Sequence, residues 1–112
     1  MLKRENRLST PFEFKITKKY GRRIEGNNFI AYILKPDNYE GSTKIGIVVS
    51  SKFSKNATDR NRIKRLFRET IRKNLSLIPE DRWVSIYPKH SSAGKTYEEI
   101  DTDFTENIQK ND

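Results

Sequence analysis

A chain of 112 residues has room for one domain with a single modest core, and 23 Lys and Arg against 15 Asp and Glu give it a net charge of +8. Hydrophobic residues are 33% and charged residues 34% of the total, so a small core under a heavily charged surface is expected, with a polyanion as partner and RNA or DNA ahead of anionic membrane. The absence of cysteine excludes a disulfide framework, a thiolate nucleophile and a thiolate metal site, and no apolar run approaches the length of a spanning helix; a cytoplasmic setting is the expectation.

The first residues, MLKRENRLSTPF, are basic and lack the apolar centre of a secretory signal. Residues 1–9 and 110–112 are expected to be flexible ends of one domain spanning 1–112. Thr10-Pro11-Phe12-Glu13 predicts a helix start, with Thr as N-cap, Pro at the first position and Glu closing a capping box. That helix covers about 10–20 and stops at Gly21. Its apolar side is thin, so it needs another element to pack on.

From Asn28 to Lys35, FIAYIL reads as a strand buried on at least one face, and PDNYEGS after it reads as a turn. Lys44 to Ser51 is the next strand, with Ile45, Ile47 and Val49 on one side and Gly46, Val48 and Ser50 on the other. Gly46 admits a close approach by another element. The two strands and their short connector predict an antiparallel hairpin.

Residues 52–59 lead into a basic helix, with Asn56 or Thr58 as cap. Within RNRIKRLFRETIRK, residues 60–73, seven of fourteen residues are Lys or Arg and only Glu69 is acidic. Helical winding gathers Ile63, Leu66, Phe67, Thr70, Ile71 and Ile78 on one face and Arg60, Lys64, Arg65, Arg68 and Arg72 on the other. Solvation alone does not require this much charge of one sign, which points to a nucleic-acid face. Pro79 is expected to end this helix.

Arg82 to Tyr87 predicts a third strand. After a polar loop, Tyr97, Ile100, Phe104 and Ile108 fall at helical spacing with carboxylates opposite. Trp83, Phe67 and Phe104 are expected in the core, and His90 has no partner at a useful spacing. The order helix, strand, strand, basic helix, strand, helix gives an α+β domain with helices on one small sheet. A parallel crossover around the basic helix would be right-handed by the general rule.

The residues alone leave several classes of function open. A ribosomal RNA-binding protein fits charge, size and fold. A DNA-binding regulator would need a second helix just before the basic one, where a strand stands instead. An enzyme acting without RNA lacks a nucleophile, a metal cage and a phosphate-cradling glycine loop.

RNRIKRLFRE, preceded by a strand ending Val48-Val49-Ser50 and followed by a strand and a helix beginning TYEE, closely resembles the protein subunit of bacterial ribonuclease P. The resemblance runs from ENRL near the start, through Phe14 and Gly21 seven apart and the F-x-x-Y of Phe29 and Tyr32, to Tyr97. It implies an α/β sandwich on a small mixed four-stranded sheet with about three helices and a ribosomal-protein-like βαβ unit whose crossover is left-handed. A further short strand is then required near Arg22 to Glu25.

In function the resemblance implies a monomeric accessory subunit of an endoribonuclease that removes the 5′ leader of precursor tRNA. Hydrolysis, with Mg²⁺ bound mainly by RNA and substrate, would belong to ribonuclease P RNA, and no residue of this chain would be catalytic or ligate a metal. Arg60, Asn61, Arg62, Lys64, Arg65 and Arg68 would contact the RNA subunit. Phe14, Lys18, Tyr32 and Lys52 would contact the leader of precursor tRNA. The chain departs from the family pattern at Phe53-Ser54-Lys55, where an apolar residue and glycine are usual after the lysines. It departs again at Lys18, where an aromatic is common, and at Thr17, where Val is common.

Overall fold

Capping side chains set where the helices begin in a computed structural model, which describes residues 4–110. Residues 1–3, 111 and 112, part of the ends expected to be flexible, lie outside the described residues. Helix α1 spans Pro11–Tyr20, and the Thr10 hydroxyl accepts the Glu13 N–H at 3.2 Å while the Glu13 carboxylate accepts the Thr10 N–H at 3.0 Å. Strands β1, Arg22–Glu25, and β2, Phe29–Leu34, follow, then β3, Lys44–Ile47. Helix α2 spans Ala57–Asn74, and the Asn56 side chain accepts the Thr58 N–H at 2.9 Å, which selects Asn56 as the cap. Strand β4, Trp83–Pro88, and helix α3, Tyr97–Lys110, complete the chain.

Helix α2 stops before Pro79. The Asn74 amide donates to the Thr70 carbonyl and to Asp101, and a 3₁₀ turn, Leu75–Leu77, takes over. Ile78 is extended, as the residue before a proline prefers, and is buried by that turn rather than by helical periodicity.

The sheet order is β1-β2-β4-β3, with β2 antiparallel to β1 and to β4, and β3 parallel to β4. The expected hairpin of β2 and β3 does not form, because β4 lies between them. Residues 35–43 have ample reach to pass one intervening strand, a step of about 10 Å. The central places go to the strands that tolerate burial on both faces: Phe29, Ala31, Val84, Ser85 and Ile86 are fully buried. Arg22–Glu25 is the extra strand that the family resemblance required.

The backbone bonds also give the hand of the β3-α2-β4 crossover. Ile45 packs in the core beneath α2, whereas a Cβ at Gly46 would run into the Phe14 ring of α1 on the opposite face. Lys44 and Val48, which share the Gly46 side, donate to the β4 carbonyls of Arg82 and Ile86, while the Ile45 carbonyl turns away to accept from Leu8. For L-residues in a strand drawn upward, N–H and C=O point right when the side chain points at the viewer. Seen from α2, β4 therefore lies to the left of β3, and the crossover is left-handed, against the general rule.

The core lies between the sheet and the pair α2 and α3. Phe29 sits at its centre, its ring 6.3 Å from that of Phe67 and 5.6 Å from that of Phe104, and all three are fully buried. Trp83 is not part of it: alternating with Val84, it lies half-buried on the α1 side, edge-on to Tyr39 at 5.8 Å. Helix α1 covers that second face, with Phe14 seated on Gly46. Residues 4–9, expected to be mobile, are instead tied to the sheet edge, since Leu8 is buried and bonded to Ile45 at 3.0 Å.

Glu13 joins α1 to β3 through an ion pair with Lys44 at 3.3 Å. Burial pushes its carboxyl pKa up, but the N–H groups of Thr10 and Ser9, the Thr10 hydroxyl and Lys44 together outweigh burial and hold it below the ordinary value. A depressed carboxylate pKa stabilises the fold above the unfolded-state pKa, and that contribution is lost as pH falls through the lowered folded value. Glu13→Gln keeps the shape of the cap without the charge. Its melting temperature should therefore fall less than the wild-type value between about pH 6 and about pH 3 in thermal unfolding.

Candidate nucleic-acid interface

Burial of Ile63, Phe67, Thr70 and Ile71 turns the basic residues of α2 outward. Arg60, Lys64 and Arg68, four apart, form a row along one flank. Arg68 there borders a hollow of about 210 Å³ with Arg7, Phe14 and Gly46. Asn61 and Arg65 stand on the exposed crest. Arg62 lies on the other flank, toward α3, where it donates to the Lys95 carbonyl at 3.4 Å. Arg60 is anchored to the Ser54 carbonyl at 2.7 Å.

Lys64, Arg65 and Arg68 have no ion-pair partner among the described residues. Arg72, placed with them by periodicity, is different: Glu69 neutralises it at 2.6 Å, and the two groups shift each other's pKa toward the charged forms. The uncompensated positive charge is thus concentrated on the N-terminal two-thirds of the helix. It offers fixed cations to a chain of phosphates.

The second surface is the part of the sheet that α1 leaves bare. Arg23, Tyr32, Ser85 and Gly46 are register partners across the four strands on this face, and Glu25, Ile30 and Tyr87 form the next row. Tyr32 and Tyr87 are both half-buried and meet edge to face at 5.7 Å and 84°. Lys18 extends from α1 with its Nζ 5.2 Å from the centre of the Tyr87 ring. Lys52 lines a groove of about 410 Å³ together with Lys18, Ser50, Tyr87 and His90.

The four residues expected at the leader site are therefore divided. Lys18 and Lys52 line this groove and Tyr32 adjoins it through its contact with the Tyr87 ring, whereas Phe14 plugs the space over Gly46 and faces the hollow beside Arg68. Tyr87 is the functional candidate that the sequence reading missed. The signal was present in β4, where Val84 and Ile86 alternate inward and leave Tyr87 on the opposite face.

At the rim, Arg23 pairs with Glu25 at 3.0 Å, and Lys89 pairs with the same carboxylate. Lys89 first, then Arg23, hold the Glu25 carboxyl below its ordinary pKa. His90 has its Nδ1 3.1 Å from the Phe53 carbonyl and its ring edge-on to Phe53.

The acidic residues gather elsewhere. Glu98, Glu99, Asp103 and Glu106 border a depression on α3, and Asp103, the buried one, accepts the N–H groups of Asn27 and Asn28 at 2.9 and 2.8 Å. Among the described residues, no three His, Asp or Glu side chains converge as a metal cage. No described helix is long and apolar enough to cross a membrane.

Comparison with known proteins gives one consistent answer. The Ribonuclease P family model matches residues 2–112. The ribonuclease P protein component of Clostridium novyi is 29% identical over 97% of this chain and 96% of its own length. That of Chlamydia abortus is 36% identical over 86% of this chain and 66% of its own. The ribonuclease P protein of Staphylococcus aureus has the same fold, with a TM-score of 0.82 at 23% identity over 95% of this chain and 94% of the other. A match over almost the whole length, together with this sheet order and this basic helix, means that the chain belongs to the ribonuclease P family, as a bacterial protein component.

Proposed function

We infer that this chain is the RNA-docking and substrate-positioning subunit of a ribonuclease P ribonucleoprotein, which removes the 5′ leader of precursor tRNA in the bacterial cytoplasm. The observation that carries this reading is the pairing of two surfaces on one small domain: unneutralised cations at Lys64, Arg65 and Arg68, and a basic groove lined by Tyr87, whose ring Tyr32 meets edge to face. Arg60, Asn61, Arg62, Lys64, Arg65 and Arg68 hold backbone phosphates of the RNA subunit, releasing its counterions.

The groove then lies beside the bound substrate, where aromatic faces accept unpaired bases and Lys18 and Lys52 accept their phosphates. Phe14 supports the wall between the two surfaces. This chain contributes affinity and orientation, and the RNA subunit carries the chemistry. In this reading Mg²⁺ is held mainly by RNA and substrate phosphates, which supply the hard oxygen ligands it prefers. The free protein is a monomer in this reading.

The direct test is cleavage of precursor tRNA by the cognate RNA subunit at limiting Mg²⁺, with and without this protein. Stimulation of cleavage is expected; RNA binding without stimulation would remove the substrate-positioning role. Replacing Lys64, Arg65 and Arg68 together by Ala should weaken binding to the RNA subunit and reduce the slope of log affinity against log salt by about 2–3. An unchanged slope would detach α2 from the phosphates. Tyr32→Ala should lower affinity for precursor tRNA by about tenfold while sparing mature tRNA. Equal losses on both substrates would place Tyr32 outside the leader site.

A further inference from the structure

We propose that Tyr87 and Lys18 form a one-nucleotide reading site, in which Lys18 covers the Tyr87 ring in the free protein and gives up that ring face to an unpaired leader base. This rests on the leader-binding reading above. Tyr87 stands near the C-terminal end of the central strand β4, on the face opposite the core. Tyr32 meets its ring nearly perpendicularly, at 84°, and so braces it in place. Over a face of the ring lies the Lys18 ammonium, 5.2 Å from the ring centre.

Lys18 has no carboxylate partner among the described residues, and its side chain is exposed. A cation over an exposed aromatic ring is a weak contact, whereas an ammonium on a phosphate makes a charge-assisted hydrogen bond. An entering nucleotide therefore wins Lys18 away from the ring through its phosphate and finds the ring face vacated for its base. The groove of about 410 Å³ is of the size that accepts a ligand as large as a nucleotide. Lys52 also lines it and shares the phosphate charge. Stacking on one ring tolerates any base, so the site selects for an unpaired nucleotide rather than for a sequence.

The test uses the holoenzyme assembled with its cognate RNA and compares Kd for precursor tRNA with Kd for mature tRNA. Tyr87→Leu should reduce this preference by about tenfold, Tyr87→Phe should keep it, and a leader carrying an abasic residue at the contacted position should erase the difference between wild type and Tyr87→Leu. Lys18→Gln, an exposed change on α1 that leaves the core intact, should lower the salt slope for precursor tRNA by about 0.7 without altering it for mature tRNA. If Tyr32→Ala lowers the preference but Tyr87→Leu does not, Tyr87 is packing only and the proposal fails while the leader reading stands. If neither variant changes it, the leader reading itself fails. An unchanged slope in Lys18→Gln overturns the exchange of ring for phosphate.

Discussion

Phe67, wholly buried against Phe29 and linked through that ring to Phe104, holds α2 on the sheet in a single rotation about its axis. Burying such a side chain contributes about 1.5–3 kcal/mol, and Ile63 and Ile71 on the same stripe add comparable amounts. Turning the helix by one residue would instead drive Arg68 under it without a partner, which costs far more than the stripe returns. The direction of every cation on α2 is thus a consequence of the core. A face bearing Lys64, Arg65 and Arg68 persists despite their mutual repulsion because the apolar side cannot move.

A second constraint operates through the sheet. Gly46 lets the Phe14 ring rest on β3, which fixes how closely α1 approaches and how far it extends over that face. The uncovered remainder holds Tyr32 and, beside it, the groove lined by Tyr87. Gly46 and Val48 point to one face while Ile45 and Ile47 point to the other, and Arg68 reaches the hollow beside Phe14 and Gly46 at this edge strand. Glu25 and Glu69, the carboxylates beside them, are neutralised by Arg23 with Lys89 and by Arg72. Asp103 is engaged with the loop before β2, and the exposed acids of α3 face away from the groove residues, so the protein is polarised well beyond its net charge.

Local signals were read directly wherever one side chain bonds to a nearby backbone. Thr10 with Glu13, Asn56 with Thr58, and the apolar spacing of Ile100, Phe104 and Ile108 each act within a few residues, and each appears in the structure as its pattern implied. Reading failed where a competing contact came from far along the chain. Helix α2 ends earlier than Pro79 implies because Asn74 finds Asp101, and Leu8 is anchored rather than loose because its partner, Ile45, lies in a strand much later in sequence.

The sequence by itself determined the helices, strands β2, β3 and β4, the basic face of α2 and the family, because these depend on side-chain periodicity, caps and an unbroken string of residues; β1 was required only by the family resemblance. Tertiary structure alone decided that β4 enters between β2 and β3, since strand order depends on which strands tolerate burial on two faces and not on the length of a connector. It also decided which candidates share a site. Tyr87 joins Tyr32 and Lys18, whereas Phe14 turns toward Arg68, because the sheet sets their separation through strand register, a relation between distant segments that no local pattern records.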